Sequence, residues 1–463
     1  MARERKKKRG PLGTQSLKIF AESKIDSIPQ LQTLPEEQRF AMRVVSRVLP
    51  FRVNQYVIDE LIDWSRVPED PIFQLTFPQK GMLSDANFDH MASLLRREAS
   101  KAEIKAAARE IHTQLNPHPA GQKKNNVPML AGTPLPGMQH KYRETLLFFP
   151  VQGQSCHSYC TFCFRWPQFV GNKSLRFASS DTDQLTGYLA QHPEITDLLF
   201  TGGDPMVMKA HSFAGYIDAL LRPELEHLRN IRIGSKSLTF WPQRFVTDPD
   251  ADDMLRAFER AVQAGKHVAF MAHVNHWREL DTDICRQAIA RIRNTGAVIR
   301  SQAPLLRHIN DDAKIWSKMW REQVKLGIVP YYMFVQRDTG ARRYFELPLT
   351  RCYDIYRDAI QQVSGLSRTA RGPSMSADPG KIEIQGVTEI AGEKVFVLRF
   401  IQARNPKLVQ QPFFAKYDEH ATWLKHLRPA FGQDHFPFEL PDETEATNDS
   451  ATNDADQIPA EWN

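Results

Sequence analysis

From Thr145 to Val335 six short apolar runs alternate with amphipathic stretches, and nothing else in the 463-residue chain restricts its fold as strongly. The runs are Thr145 to Val151, Asp197 to Thr201, Ile231 to Gly234, His267 to Val274, Ala297 to Gln302 and Val329 to Val335. Between them apolar residues recur at helical spacing: Phe213, Ile217 and Leu221; Met254, Leu255, Phe258 and Val262; Ile284, Ala288 and Ile292; Ile315, Trp316, Met319 and Trp320. Strands that are apolar on both faces and joined by crossover helices imply a parallel sheet covered by helices. The expected class is therefore α/β, and six βα units make either a doubly wound sheet or an incomplete barrel.

In both folds ligands bind where the carboxyl ends of the strands meet the following loops. The chemically distinctive residues fall there: a cysteine loop after the first run, Gly202-Gly203-Asp204-Pro205 after the second, and Ser235-Lys236 after the third. His273 and Asn275 follow the fourth run, Gln302 the fifth, and Arg337-Asp338 the sixth. The loop, Cys156-His-Ser-Tyr-Cys160-Thr-Phe-Cys163, holds three of the five cysteines. The basic N-terminus lacks an apolar core behind it, so a secretory signal is not expected and the cytoplasm is. A disulfide scaffold is not expected in that compartment. No run approaches the ~18 apolar residues of a membrane span. Thiolates suit zinc or an iron–sulfur cluster, and both usually take four ligands. His157 is poorly placed as a fourth, while Cys285 and Cys352 fall in distant helical stretches. Three protein ligands would leave one iron of a 4Fe-4S cluster open; zinc and unligated core thiols are the alternatives.

Hydrophobic residues at 41% and charged residues at 25% are those of a soluble globular chain. Net charge is +6, but residues 1–9 carry six basic groups against one Glu, and Glu439 to Asn463 carries eight acids and no base. The body between is the more basic part and suits anionic ligands such as phosphates. Nucleic acid is not expected, because aromatic and basic residues do not interleave as a single-strand platform requires. Residues 1–15 and 439–463 are expected to be disordered tails. Residues 16–136 should form a helical N-terminal region with a connector from 117, on the spacing of Phe40, Val44, Val45 and Val48, of Val57, Leu61 and Trp64, and of Met91, Leu94 and Leu95.

The Cys-x3-Cys-x2-Cys loop resembles the signature of the radical S-adenosylmethionine (radical SAM) superfamily. Further segments narrow the resemblance to the lysine 2,3-aminomutase family: Asp70-Pro-Ile-Phe-Gln, Pro136-Gly-Met-Gln-His-Lys-Tyr142, Cys163-Phe-Arg165, Phe200-Thr-Gly-Gly-Asp-Pro205, Arg232-Ile-Gly-Ser235 with Pro242-Gln-Arg244, His273-Val-Asn-His276, Gln302 with Leu305-Leu-Arg307 and Asn310-Asp311, Pro330-Tyr-Tyr332, and Asp378-Pro-Gly-Lys381. They span about residues 65–400. The resemblance implies a radical SAM (β/α)6 partial TIM barrel over 137–345, preceded by the helical region and followed at 346–438 by a small β-containing segment that binds pyridoxal 5′-phosphate (PLP). It implies that Cys156, Cys160 and Cys163 hold a 4Fe-4S cluster whose open iron chelates S-adenosylmethionine. Gly202 and Gly203 would let the backbone approach its amino group, Asp204 would either cap the next helix or accept from that group, and Ser235, His273 and Gln302 would be further contacts. Lys381 would carry PLP, with Lys141, Tyr142 and Arg143 gripping the cofactor and its phosphate. Arg165 would pair with the substrate carboxylate.

The sequence departs from the family at the substrate's far end. The lysine-specific enzymes place two carboxylates around the substrate ammonium. At the first position this chain has Arg337, with Asp338 reachable by a one-residue shift; at the second it has Ser374, or Asp378 if the loop is shorter. An inward Arg337 fits glutamate, and an inward Asp338 fits lysine. The cysteines that bind structural zinc in the lysine-degrading enzymes are missing here, although a homodimer is compatible with the sequence. The expected activity is an amino acid 2,3-aminomutase, an isomerase, acting on a small amino acid with a flavodoxin- or ferredoxin-type reductant. The alternatives are a radical SAM enzyme of the same ancestry without PLP, and a non-catalytic iron–sulfur protein.

Overall fold

The computed structural model describes residues 17–116, 126–170 and 177–439. The expected tails, apart from Glu439, and residues 117–125 of the connector lie outside the described residues. The N-terminal region opens with an antiparallel pair, β1 (Ile19–Ala21) and β2 (Arg52–Asn54), and its main helices are α1 (Glu36–Ser46), α2 (Pro71–Thr76), α3 (Asp85–Arg96) and α4 (Lys101–Leu115). The start of α4 is fixed by a reciprocal cap: Glu103 N–H donates to Ser100 Oγ at 3.3 Å and Ser100 N–H to Glu103 Oε2 at 2.9 Å. The helical spacing through Val57, Leu61 and Trp64 yields less helix than expected. It forms one π-helical turn, Val57–Leu61, and a 3-10 turn, Trp64–Arg66. The Trp64 indole donates to the Ile58 carbonyl at 2.9 Å, and Asn54 Oδ1 accepts from Val57 N–H at 3.0 Å, so side chains take the groups a longer helix would use.

A short pair, β3 (Met129–Leu130) and β4 (Thr133–Pro134), precedes the main sheet. That sheet runs in unbroken sequence order through β5 (Met138–Tyr142), β6 (Thr145–Phe148), β7 (Asp197–Phe200), β8 (Asn230–Ser235), β9 (His267–His273), β10 (Val298–Pro304), β11 (Ile328–Phe334), β12 (Arg371–Ser376), β13 (Gly380–Ile390), β14 (Glu393–Ala403) and β15 (Pro412–Lys416). The six apolar runs are β6 to β11. Pairing is parallel from β6 to β12 and antiparallel at both margins. The helices Thr182–Gln191, Ala210–Leu220, Ala251–Gln263, Asp283–Asn294, Ala313–Lys325 and Leu349–Gln361 cross between successive parallel strands. Right-handed crossovers in an order that never reverses put every helix on one face, which excludes the doubly wound alternative.

The other face curls upon itself. Strands β5 and β12 stand seven places apart, which in a flat sheet would be roughly 34 Å. Yet Lys141 Nζ on β5 donates to the carbonyl of Ala377, just beyond β12, at 2.6 Å. The C-terminal segment 346–438 is not a separate layer: β12 to β15 continue the sheet, and Ile382, Phe400 and Phe413 share one apolar core with Leu146, Phe200 and Trp320.

The N-terminal region packs through a second apolar core that takes in Phe162 and Trp166 of the cysteine loop. Asp70 ties this layer to the sheet. Its buried carboxylate accepts from the N–H groups of Ile72 and Phe73 at 2.9 Å each and pairs with Arg278 in the loop after β9. Removing it uncaps α2 and strands the guanidinium, a loss of about 3–5 kcal/mol. Asp70→Ala is expected to melt well below the parent when followed by circular dichroism, with Asp70→Asn between the two; an unchanged midpoint in Asp70→Ala would contradict the role.

Candidate active site

The cysteine loop leaves the end of β6 and is held both by the turn after β7 and by the N-terminal region. The carbonyls of Gly153 and Ser155 both accept from Asp204 N–H, at 3.0 and 2.9 Å. A Cβ on Gly203 would lie 2.4 Å from the Ser155 oxygen, and one on Gly202, whose φ is +149°, would lie 2.3 Å from Gln154 Nε2. The two glycines are thus required by the entry to the cysteine loop itself, a reason the sequence did not reveal. On the N-terminal side Arg52 donates to the Cys156 carbonyl at 2.8 Å, and Thr161 N–H donates to the Leu75 carbonyl at 3.0 Å.

Asp204 is the hub beneath the loop. It caps the Pro205–Val207 turn through Met206 N–H at 3.0 Å and accepts from Ser235 Oγ (2.7 Å), Lys236 N–H (2.9 Å) and Ser237 N–H (3.1 Å). Burial raises its pKa, but His157 and these donors outweigh burial and hold the carboxyl below its usual range. His157 is committed to this network, with Nδ1 at 3.1 Å from Asn54 Nδ2 and Nε2 at 3.5 Å from Asp204 Oδ2. It is therefore occupied elsewhere as a fourth metal ligand. Ser235 is engaged too, since its oxygen also accepts from Ser237 N–H at 2.9 Å. Beside it, Lys236 Nζ bridges Glu279 at 2.6 Å and Asn275 at 3.0 Å.

Cys156, Cys160 and Cys163 lie close enough to perturb one another, and burial pushes all three thiols up, Cys160 to about 12. Among the described residues no three His, Cys, Asp or Glu side chains already stand at metal-holding distances. The donor set nevertheless fits a soft metal: three sulfurs from one loop, with a cation reversing the desolvation that keeps them protonated. Cys285 and Cys352 lie in the crossover helices, hydrogen-bonded to the carbonyls of Leu238 and Leu347. His273 stands at the end of β9 with its ring 5.6 Å from that of Phe162. Burial and the Lys236 cation lower its pKa to about 3, so the imidazole is neutral. Gln302 lies level with it on β10, where Arg300 and Gln302 alternate with the buried, helix-facing Ile299, Ser301 and Ala303.

Inside the curl cations predominate around Lys381, with Arg232 paired to Asp197 at 2.6 Å and Arg371 and Lys141 nearby. Lys381 Nζ donates to Gln402 Oε1 at 3.1 Å and lies 4.1 Å from the centre of the Tyr332 ring. Removal from bulk water, followed by the nearby Arg232, Arg371 and Lys141, lowers it to about 7. Arg371, which sequence reasoning missed, stacks on Tyr331 and Tyr332 at 4.6 and 4.4 Å; its position opposite Tyr332 in the β11–β12 register was the one available signal, and it required knowing the pairing. A register shift between His140 and Tyr142 lets both Lys141 and Tyr142 turn toward this interior, whereas Arg143 is exposed and stands apart from the grip expected of it. Lys141 is lowered to about 8 by desolvation, Arg404 and Arg337, and Tyr142 is raised to about 12 by desolvation.

With this geometry in hand, comparison with known proteins is informative. No protein-family model matches the chain. A putative L-lysine 2,3-aminomutase of Aquifex aeolicus is 29% identical over 394 residues, 85% of this chain and 92% of its own length. The L-lysine 2,3-aminomutases of Escherichia coli and Bacillus subtilis are 27% and 26% identical over 251 and 307 residues, covering 53% and 66% of this chain and 68% and 60% of their own. The chain is a relative of the lysine 2,3-aminomutases. Among solved structures, SuiB of Streptococcus suis bound to S-adenosylmethionine overlaps 68% of each chain at 12% identity and a TM-score of 0.35.

In this lysine 2,3-aminomutase relative the acidic residues that the sequence offered beside Arg337 and Ser374 are engaged elsewhere. Asp338 pairs with Lys425 at 3.1 Å, and Asp378 pairs with Arg404 at 3.2 Å with its side chain 71% exposed. Ser374 is buried against the Met333 carbonyl. Arg165 and Arg337 are left facing the interior. Between pH 7 and 10.5 the unfolded chain binds a proton at Lys381 that the folded chain does not, so this group's contribution to stability rises with pH across that window. The same depression makes the amine nucleophilic near neutrality. Reductive methylation at pH 7, mapped by peptide mass spectrometry, is expected to modify Lys381 faster than surface lysines of ordinary pKa. Arg371→Gln removes a neighbouring cation and should slow that modification; an unchanged rate would refute the electrostatic cause.

Proposed function

We propose that the protein is a radical SAM, PLP-dependent amino acid 2,3-aminomutase. The observation that carries this reading is that one curled sheet, in a relative of the lysine 2,3-aminomutases, has three thiols at the carboxyl ends of its strands and a near-neutral amine, Lys381, within. On this reading the six βα units are a partial barrel, residues 16–136 are its cover, and segment 346–438 supplies the PLP lysine. When bound, a reduced 4Fe-4S cluster with S-adenosylmethionine supplies a 5′-deoxyadenosyl radical, and PLP supplies a π-system that carries the migrating amino group.

Cys156, Cys160 and Cys163 would hold the cluster and leave one iron for the amino and carboxylate groups of S-adenosylmethionine. The Gly202-Gly203 backbone, His273 and Gln302 would line the adjoining cofactor, with Asp204 and Ser235 holding that backbone in position. Lys381 Nζ, lowered to about 7 and so carrying a sizeable unprotonated fraction at neutral pH, would hold PLP through its carbonyl carbon. Lys141 and Tyr142 would meet the phosphate side, beside Arg232 and Arg371. Arg165 would anchor the substrate carboxylate. The N-terminal layer that grips the cysteine loop would exclude water and stray hydrogen donors. A flavodoxin- or ferredoxin-type protein would supply the electron.

The test is anaerobic reconstitution followed by reduction with S-adenosylmethionine and a panel of amino acids, scored by mass spectrometry. The parent is expected to bind iron and sulfide, form 5′-deoxyadenosine and release a β-amino isomer. Cys160→Ala should lose the first product, and Lys381→Ala should lose the visible absorbance of bound PLP. Protein that takes up zinc in place of iron would overturn the proposal.

A further inference from the structure

We infer that the substrate is a dicarboxylic amino acid whose two carboxylates are taken by Arg165 and Arg337. The inference rests on the aminomutase reading for its chemistry, but the recognition argument needs only these two side chains. Arg165 Nη1 is buried, and among the described residues it has no hydrogen-bond acceptor. Its guanidinium lies 4.2 Å from the centre of the Phe149 ring and 5.5 Å from that of Phe164. Arg337 approaches the same Phe164 ring at 5.0 Å, and among the described residues its side chain makes no hydrogen bond or ion pair. Two cations thus lie against one aromatic ring, and among the described residues neither side chain makes a hydrogen bond.

A buried guanidinium without an acceptor is unfavourable unless a ligand supplies one. The neighbouring acids do not, because Asp338 is committed to Lys425 and Asp378 to Arg404. The planar fork of arginine matches a carboxylate through two parallel N–H···O bonds, so each guanidinium selects that group over a neutral amide. Both lie within 5.5 Å of one ring centre, so a single small molecule with an acid at each end can reach the pair. A substrate with a terminal ammonium would instead set like charge against Arg337, with Lys141 close by. Phosphate binding does not need Arg165 or Arg337, since Arg232, Arg371 and Lys141 already surround Lys381.

The experiment is isothermal titration calorimetry on anaerobic, cluster- and PLP-loaded protein with L-glutamate, L-aspartate, L-glutamine and L-lysine. One of the two dicarboxylates is expected to bind most tightly. Glutamine, isosteric with glutamate and uncharged at its end, should bind about 100-fold more weakly than glutamate, and lysine more weakly still. Arg337→Gln should collapse the glutamate-to-glutamine ratio toward one, while Arg337→Lys keeps part of it. Circular dichroism melting of each variant separates this from misfolding. Lysine binding more tightly than either dicarboxylate, or a ratio unmoved in folded Arg337→Gln, would overturn the inference. If the ratio holds and no 5′-deoxyadenosine forms, recognition stands and the aminomutase reading fails. If lysine is converted to its β-amino isomer, that reading stands and the dicarboxylate falls.

Discussion

The constraint on which everything else depends is that the parallel strands follow one another in space in the order they follow in sequence. With right-handed crossovers this puts all the helices on one face and leaves the other bare. That bare face carries polar and charged strand side chains such as Arg232, Arg300 and Gln302, and its margins come together until Lys141 meets the carbonyl of Ala377. The curl creates an interior that is lined by strand side chains and narrow enough for arginines on β8 and β12 and a lysine on β5 to influence one lysine on β13. The unusual pKa of Lys381 is therefore a property of the topology. On a flat sheet Arg232 and Lys381 would be separated by several strands and by solvent.

At the carboxyl ends of the strands a second device operates on a smaller scale. The Asp204 carboxylate gathers the ends of β7 and β8 and, through His157, the cysteine loop. It is buried, and each of its oxygens takes at least two donors drawn from different elements, so the elements it joins are held as a unit. Asn54 extends this unit into the N-terminal layer, donating to the Phe240 carbonyl at 2.8 Å as well as contacting His157. The thiols thus sit on a loop fixed at its start by the sheet and on its far side by the cover, although the loop itself has no regular secondary structure.

The six strands were legible in the sequence because short, mostly apolar runs recur between amphipathic helical stretches, even though Arg232 on β8 and Arg300 on β10 turn to the inner face. The helix drawn through Val57, Leu61 and Trp64 was not, because the apolar period is the same whether a segment forms two turns or one, and what bounds it are the bond Val57 N–H gives to Asn54 Oδ1 and the bond the Trp64 indole gives to the Ile58 carbonyl. The glycines after β7 were recognisable as close-approach positions, but the neighbour they admit is the backbone of residues 153–155, and only the fold could identify it. The orientations of Arg143, Asp338 and Asp378 were equally hidden. Each sits at a strand end or turn, where a bulge or a one-residue shift reverses the direction of a side chain. Arg371 escaped notice because a lone arginine is ordinarily solvated, and its place beside Lys381 exists only once β12 pairs with β11.

The excess of positive charge in the interior has a consequence for how a ligand is received. Arg165, Arg337, Lys141, Arg371 and Lys381 share a space in which few acids remain uncommitted, and like charges so arranged oppose the compact state. The protein tolerates this in two ways: the arginines lie against aromatic faces, where the ring quadrupole offsets part of their lost hydration, and the lysines give up protons. Both accommodations are reversed by an anion. A carboxylate or phosphate entering the curl draws the guanidiniums into charge-assisted hydrogen bonds and raises the affinity of nearby lysines for protons. Ligand binding is thereby linked to folding stability, because the repulsion relieved on binding is the repulsion the empty fold carries. The N-terminal layer pins the mouth of the curl independently of any ligand, which explains how an interior so charged remains ordered before its anions arrive.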